Sequence, residues 1–135
     1  MRVLWAPLMA VMGVAACQAE PQDETARGHA LYQSYCAGCH GAQGEGTGKL
    51  ADGLPVAPPD LTLLTARNGG RFPREDVMAQ IYGYPSEFHA RIMPEFGPLL
   101  EGDNVTWTNA SGEEISTPRA LLQLSAYLES LQKSP

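Results

Sequence analysis

Cys36-Ala37-Gly38-Cys39-His40 reads C-x-x-C-H, with Gly28-His29-Ala30-Leu31-Tyr32 upstream and Gly41 directly after it. Two thiols and an imidazole in five residues admit few chemistries. A thioredoxin-like redox pair wants a strand before the motif, a helix after it and no histidine. Here the preceding segment has a helical pattern and Gly41 begins a loop. A structural zinc site wants two more Cys or His at finger-like spacing. Beyond Cys39 there is no cysteine, and His89 is the one later histidine. A Cys36–Cys39 disulfide would be strained. The spacing does suit covalent haem attachment. Two thiols add across the two vinyl groups of one porphyrin edge. The histidine after the second cysteine then ligates iron from the proximal face. The small pair Ala37-Gly38 keeps the bridge between the thiols clear of the ring.

The N-terminus carries an address. Arg2 gives a positive start, and residues 3–16 carry no charge. That apolar run is too short for a membrane-spanning helix and suits an export signal. Pro7 and Gly13 interrupt it, which argues against a buried helix. It ends in Val14-Ala15-Ala16-Cys17, which resembles a bacterial lipobox, so Cys17 is the expected lipid-bearing N-terminus. The alternative is an ordinary secretory signal cut near the same place. Residues 1–16 are thus read as signal, 17–24 as a polar tether and 25–135 as one folded domain. Both routes export the protein, to a periplasm where covalent haem attachment takes place.

The 135 residues, 44% hydrophobic and 18% charged, provide for one ordinary core and exclude wholesale disorder. A net charge of −6 argues against nucleic acid as a partner. Three cysteines cannot form a disulfide framework. Two go to haem thioethers and Cys17 goes to a lipid or to the discarded signal.

Three stretches together resemble a class I cytochrome c domain. They are Gly28 to Tyr32 with Cys36 to Gly41, then Met93-Pro94-Glu95-Phe96-Gly97, then Leu124-Ser125-Ala126-Tyr127-Leu128. They span nearly all of residues 25–135. The resemblance implies an all-α fold with helices around one covalent haem c. It implies a methionine as the second axial ligand, and a closing helix that crosses the first one near the haem edge. It also implies a proline carbonyl on the free ring N–H of the proximal His40. Pro59 is the candidate within Ala57-Pro58-Pro59-Asp60, with Pro58 close behind. Such a bond fixes the tautomer of His40 and increases its basicity. A plain loop-to-helix transition, with Asp60 as N-cap, is compatible with it.

The exported chain keeps two methionines, Met78 and Met93. Met93 precedes a proline, which holds it in extended geometry where its thioether can reach sideways. Met78 lies in residues 73–83, a helix pattern with Pro at its start, acids in its first turn and Gly at its end. Val77, Met78 and Ile81 share a face, so Met78 reads as core and Met93 as ligand. His89 would replace Met93 only if the methionine swings away. His29 reads as a surface or helix-interface residue.

Residues 25–37 read as the first helix and 118–133 as the last, with Thr117 as N-cap and Pro118 as first helical residue. Leu121, Leu124, Leu128 and Leu131 form the last helix's stripe. Gly28 costs about 1 kcal/mol in a helix, which favours a packing reason near Tyr127. A helix starts near Leu61 and ends at the turn Asn68-Gly69-Gly70. Arg67 and Arg71 flank that turn and read as surface arginines, with a haem propionate as the other option. Residues 104–116 read as a β-hairpin inserted before the last helix. Trp107 there either covers the haem or meets a partner.

The expected function is single-electron transfer by a His40/Met93-ligated haem, with no enzymatic step, between respiratory or photosynthetic redox proteins of the membrane or periplasm. The protein is expected to be a monomer. Two strong axial ligands leave no open iron position, which suits outer-sphere transfer. Lys49 and Lys133 are the only lysines, so a lysine-rich docking face is absent and the partner's patch should be basic or apolar. The competing readings are a gas-binding or peroxidatic haem protein with a displaceable distal ligand, and a fixed subunit of a larger oxidoreductase.

Overall fold

The computed structural model describes residues 21–83 and 93–133. Cys17 and His89 lie outside the described residues. Helix α1 (Pro21–Tyr35) is followed by the short α2 (Ala37–His40), which carries the end of the C-x-x-C-H motif. A 3-10 turn at Ala51–Gly53 comes next, then one at Leu61–Leu63 that runs into α3 (Leu64–Arg67). After these come α4 (Arg74–Tyr82), α5 (Gly97–Leu100), strands β1 (Asn104–Thr108) and β2 (Glu114–Pro118), and α6 (Arg119–Ser130). The described residues are thus mostly helical, with one small two-stranded antiparallel sheet.

The longest-range packing joins the first and last helices. Leu121, Leu124, Tyr127 and Leu128 of α6 bury themselves with Tyr32 of α1 and Val77, Met78 and Ile81 of α4. Met78 is therefore a core residue, as its helical face implies. The rings of Tyr32 and Tyr127 lie 5.2 Å apart in a tilted arrangement, and His29 packs on Tyr127 at 5.0 Å. Gly28 is the contact point. A Cβ there would stand 2.0 Å from the Gln123 carbonyl oxygen and 2.9 Å from Tyr127 Cβ. The glycine lets the two backbones approach more closely than any side chain permits.

Helix α1 starts at Pro21 instead of residue 25, so residues 21–24 of the segment read as a tether are helical. Glu24 holds this first turn to the start of α6, with Arg119 Nη1 at 3.4 Å from Glu24 Oε1. At its other end α1 stops at Tyr35, two residues short of the expectation, because Cys36 begins the tighter turn of the haem motif. Helix α4 matches its sequence signals, with Glu75 and Asp76 in the first turn and Gly83 as a left-handed cap at φ 94°.

The hairpin over residues 104–118 has the register Val105↔Thr117 and Trp107↔Ile115. Its tip is organised by Asn109, whose Oδ1 accepts from Ser111 N at 3.0 Å and Glu113 N at 2.9 Å. Ala110 N donates to Glu75 Oε1 at 3.0 Å and ties the tip to α4. Trp107 is half-buried and packs against the main core. The reading of Thr117 as N-cap is corrected. Strand β2 runs directly into α6, so Pro118 with φ −55° and ψ 127° occupies the cap position. The Thr117 hydroxyl donates instead to Ile115 O at 3.2 Å.

Candidate haem site

The site is built on one turn. Cys36 closes α1 through its backbone N–H to Tyr32 O, and His40 N donates to Cys36 O at 2.9 Å. Cys36 and Cys39 are unbridged and half-buried, and His40 is buried. The Tyr32 hydroxyl, fully buried, donates to Gly41 O at 2.7 Å and pins the residue after the histidine. Gly41 takes φ 81°, so the chain reverses there, and Gly46 N then donates to His40 O at 2.8 Å.

The electrostatics of Cys36 run against the redox-pair reading. Burial, and then the neighbouring Cys39, push the Cys36 pKa up to about 11. A redox-active dithiol needs the reverse, a thiolate at neutral pH. Burial also lowers the His40 pKa, with the Pro59 carbonyl working against it, so the ring favours its neutral, ligating form. Among the described residues no group of three His, Cys, Asp or Glu could hold a metal ion by itself. A zinc reading has no ligand set there.

His40 Nδ1 lies 3.4 Å from Pro59 O. A neutral ring that donates from Nδ1 carries its free lone pair on Nε2, the atom available to iron. The Pro59 segment is itself held. Asp60 Oδ1 accepts from Thr62 N at 2.8 Å and from the Thr62 hydroxyl at 2.6 Å, the N-cap that the sequence implies. Those bonds hold the Asp60 carboxyl below its ordinary range, the hydroxyl contributing most. Arg67 Nη1 donates to Asp60 O at 3.1 Å, and Arg71 is exposed at the turn whose Asn68 side chain donates to the Arg71 carbonyl.

Met93 is half-buried and packs against the core. Gln80 Nε2 of α4 is 3.9 Å from its sulfur, a long N–H···S contact. Phe96, three residues on, donates its backbone N–H to Ile81 O at 3.0 Å, and Gly97 sits under the Tyr82 carbonyl, where a Cβ would meet it at 2.7 Å. The segment after Met93 is thereby laid along the end of α4. Gln80 and the Tyr32–Gly41 bond carry no short-range sequence signal, because their partners become neighbours only when the chain folds. Two unbridged, half-buried thiols and a buried imidazole in one turn form a donor set that fits a covalently attached haem.

A family model described as Cytochrome c matches residues 25–132. Among solved structures, a chain of the Kuenenia stuttgartiensis reducing HAO-like protein complex Kustc0457/Kustc0458 is similar, with a TM-score of 0.58 and 19% identity. The match covers 96% of this chain and 53% of that one, so this chain spans about half its length, and the likeness is one of fold. Among curated proteins no relative matches the sequence. The attachment motif, the buried imidazole behind it and a family match across most of the chain lead to one conclusion: the chain belongs to the cytochrome c family.

Proposed function

We propose that this is a monohaem class I cytochrome c of the periplasm, a carrier of single electrons between redox proteins. Cys36 and Cys39 would hold the haem c, with His40 and Met93 as the residues that would ligate its iron. The observation that carries the reading is the buried His40 with Pro59 O at its Nδ1, directly behind two unbridged thiols. The haem supplies the one-electron couple. The chain's residues hold the ring, fix the His40 tautomer and exclude water from the proximal side. With both His40 and Met93 as ligands, the bound group would supply one-electron transfer in preference to bond-making chemistry.

The test is expression with haem-maturation machinery, followed by intact mass and a visible spectrum. One covalent haem per chain and a sulfur-to-iron charge-transfer band in the oxidised protein are expected. A chain without a covalent adduct overturns the reading. Rapid CO binding by the untreated reduced protein would favour a gas-binding or peroxidatic role instead.

A lipid on Cys17, as the resemblance to a lipobox suggests, would tether the carrier to a membrane. Among the described residues no helix is long and apolar enough to cross one. Cys17→Ala should move the protein from the membrane fraction to the soluble fraction, and unchanged attachment would defeat the idea. With eight basic and 15 acidic residues after signal removal, charge complementarity calls for a basic or apolar patch on the partner. A second reading, a fixed electron-transfer subunit of a larger oxidoreductase, draws support from the structural neighbour's membership of a protein complex. Co-purification of a stoichiometric partner would favour it.

A further inference from the structure

Two described residues after α6, Gln132 and Lys133, are anchored to distant segments. Gln132 places its side-chain amide between the last helix and the segment after Pro59. Its Nε2 donates to Leu61 O at 2.8 Å and to Leu128 O at 2.7 Å, and its Oε1 accepts from Thr65 N at 2.8 Å. Lys133 continues the seam. Its backbone N–H donates to Thr62 O at 2.9 Å, and its ammonium meets Glu45 Oε1 at 2.8 Å. The loop on the other side is locked to the same segment, with Leu61 N donating to Gly44 O at 2.7 Å. At Gly46 the packing is tight enough that a Cβ would stand 2.4 Å from Pro58 O. Glu45 and Gly44 also lie within five residues of His40. The tail therefore grips both loops that meet at the His40 ring, and the Pro59 carbonyl has little freedom to leave Nδ1.

We infer that Gln132, with Lys133, is a positioning residue for the haem couple: it holds the Pro59 carbonyl on His40 and so sets how strongly the imidazole donates to iron. The inference rests on the reading of His40 as proximal ligand. The physics gives the sign. A carbonyl accepting from Nδ1–H makes the ring more basic, and a more basic ring favours the ferric state. Slackening that bond raises the reduction potential.

The experiment uses the full-length haem-loaded protein. Proton NMR of the wild type should show the hyperfine-shifted ring signals of an iron-bound His40, with a slowly exchanging Nδ1–H. In Gln132→Ala the Nδ1–H should exchange about tenfold faster, and the ferric/ferrous equilibrium should shift about threefold toward the reduced form. Gln132→Glu keeps the acceptor for Thr65 N but turns a carboxylate oxygen toward the Leu61 and Leu128 carbonyl oxygens, so its Nδ1–H should exchange at least as fast as in Gln132→Ala. Lys133→Ala, which removes the Glu45 pair and the ammonium's attraction to Asp60, should move both readouts slightly and covers the case in which Gln132→Ala does not mature. Arg119→Ala, at the far end of α6, should leave both unchanged. A Gln132→Ala protein that melts earlier with unaltered exchange and potential overturns the inference and leaves the His40 reading intact. A wild type without His40 ring signals overturns that reading, and this one with it.

Discussion

Met93→Ala should leave the haem covalently attached and convert the protein from a carrier into a ligand-binding haem protein. The thioethers at Cys36 and Cys39 do not depend on the distal side, so the intact mass should match that of the haem-loaded parent after allowing for the substitution. The distal side would lose its soft sulfur donor. A thioether stabilises ferrous over ferric iron relative to harder ligands, so the potential should fall. The expected change in the ferric/ferrous equilibrium is about a hundredfold, or about 120 mV at 59 mV per tenfold for one electron. The sulfur-to-iron band should vanish, and CO should bind the reduced protein without prior denaturation. A variant that keeps the band would return the ligand role to Met78, the other methionine of the exported chain. Met78 is 5% exposed in the core, so reaching iron would require α4 to move.

The second large effect is expected where no ligand is involved. Helix propensity alone makes Gly28→Ala a gain of about 1 kcal/mol. The packing reverses the sign. The added methyl would stand 2.0 Å from a backbone carbonyl oxygen, which cannot rotate aside as a side chain can. Helices α1 and α6 must separate, and Tyr32 and Tyr127 lose their fit. Overpacking of this kind costs about 1–3 kcal/mol, and a rigid backbone partner puts Gly28 at the upper end. The net loss of about 2 kcal/mol or more should lower the melting midpoint by about 10 °C in thermal unfolding followed by circular dichroism. A variant as stable as the parent would show that the helices can repack around the methyl.

The haem motif was legible because it is local. Cys36, Cys39 and His40 occupy one turn, and their chemistry is written in their spacing. Helix α4 was legible for a similar reason, since its acids, apolar face and terminal glycine all act within nine residues. The hairpin followed from its alternating pattern and its Asn109–Gly112 turn. Thr117 misled because a hydroxyl before a proline and a leucine stripe is a good cap signal in isolation. Tertiary structure overrode it by pairing Thr117 with Val105 in the sheet. The sequence put Pro59 only narrowly ahead of Pro58, and the fold brings the Pro59 carbonyl to the His40 ring. Gln132 was silent because its bonds to Thr65 and Leu61 span 67 and 71 positions. A polar residue at the end of a helix reads as solvated until the distant segment arrives.

The pairing of α1 with α6 also sets an order of events for a chain that emerges from its N-terminus. Glu24 and Arg119 are 95 positions apart, and the enclosed loop carries a closure entropy of about 4 kcal/mol by the logarithmic scaling of flexible chains. Tyr32 cannot be buried, nor can its hydroxyl secure Gly41 away from water, before residues 119–130 have been delivered. The attachment turn therefore gains its Tyr32 support from a segment nearly a hundred positions further along the chain, and a stable turn there depends on a late, long-range contact.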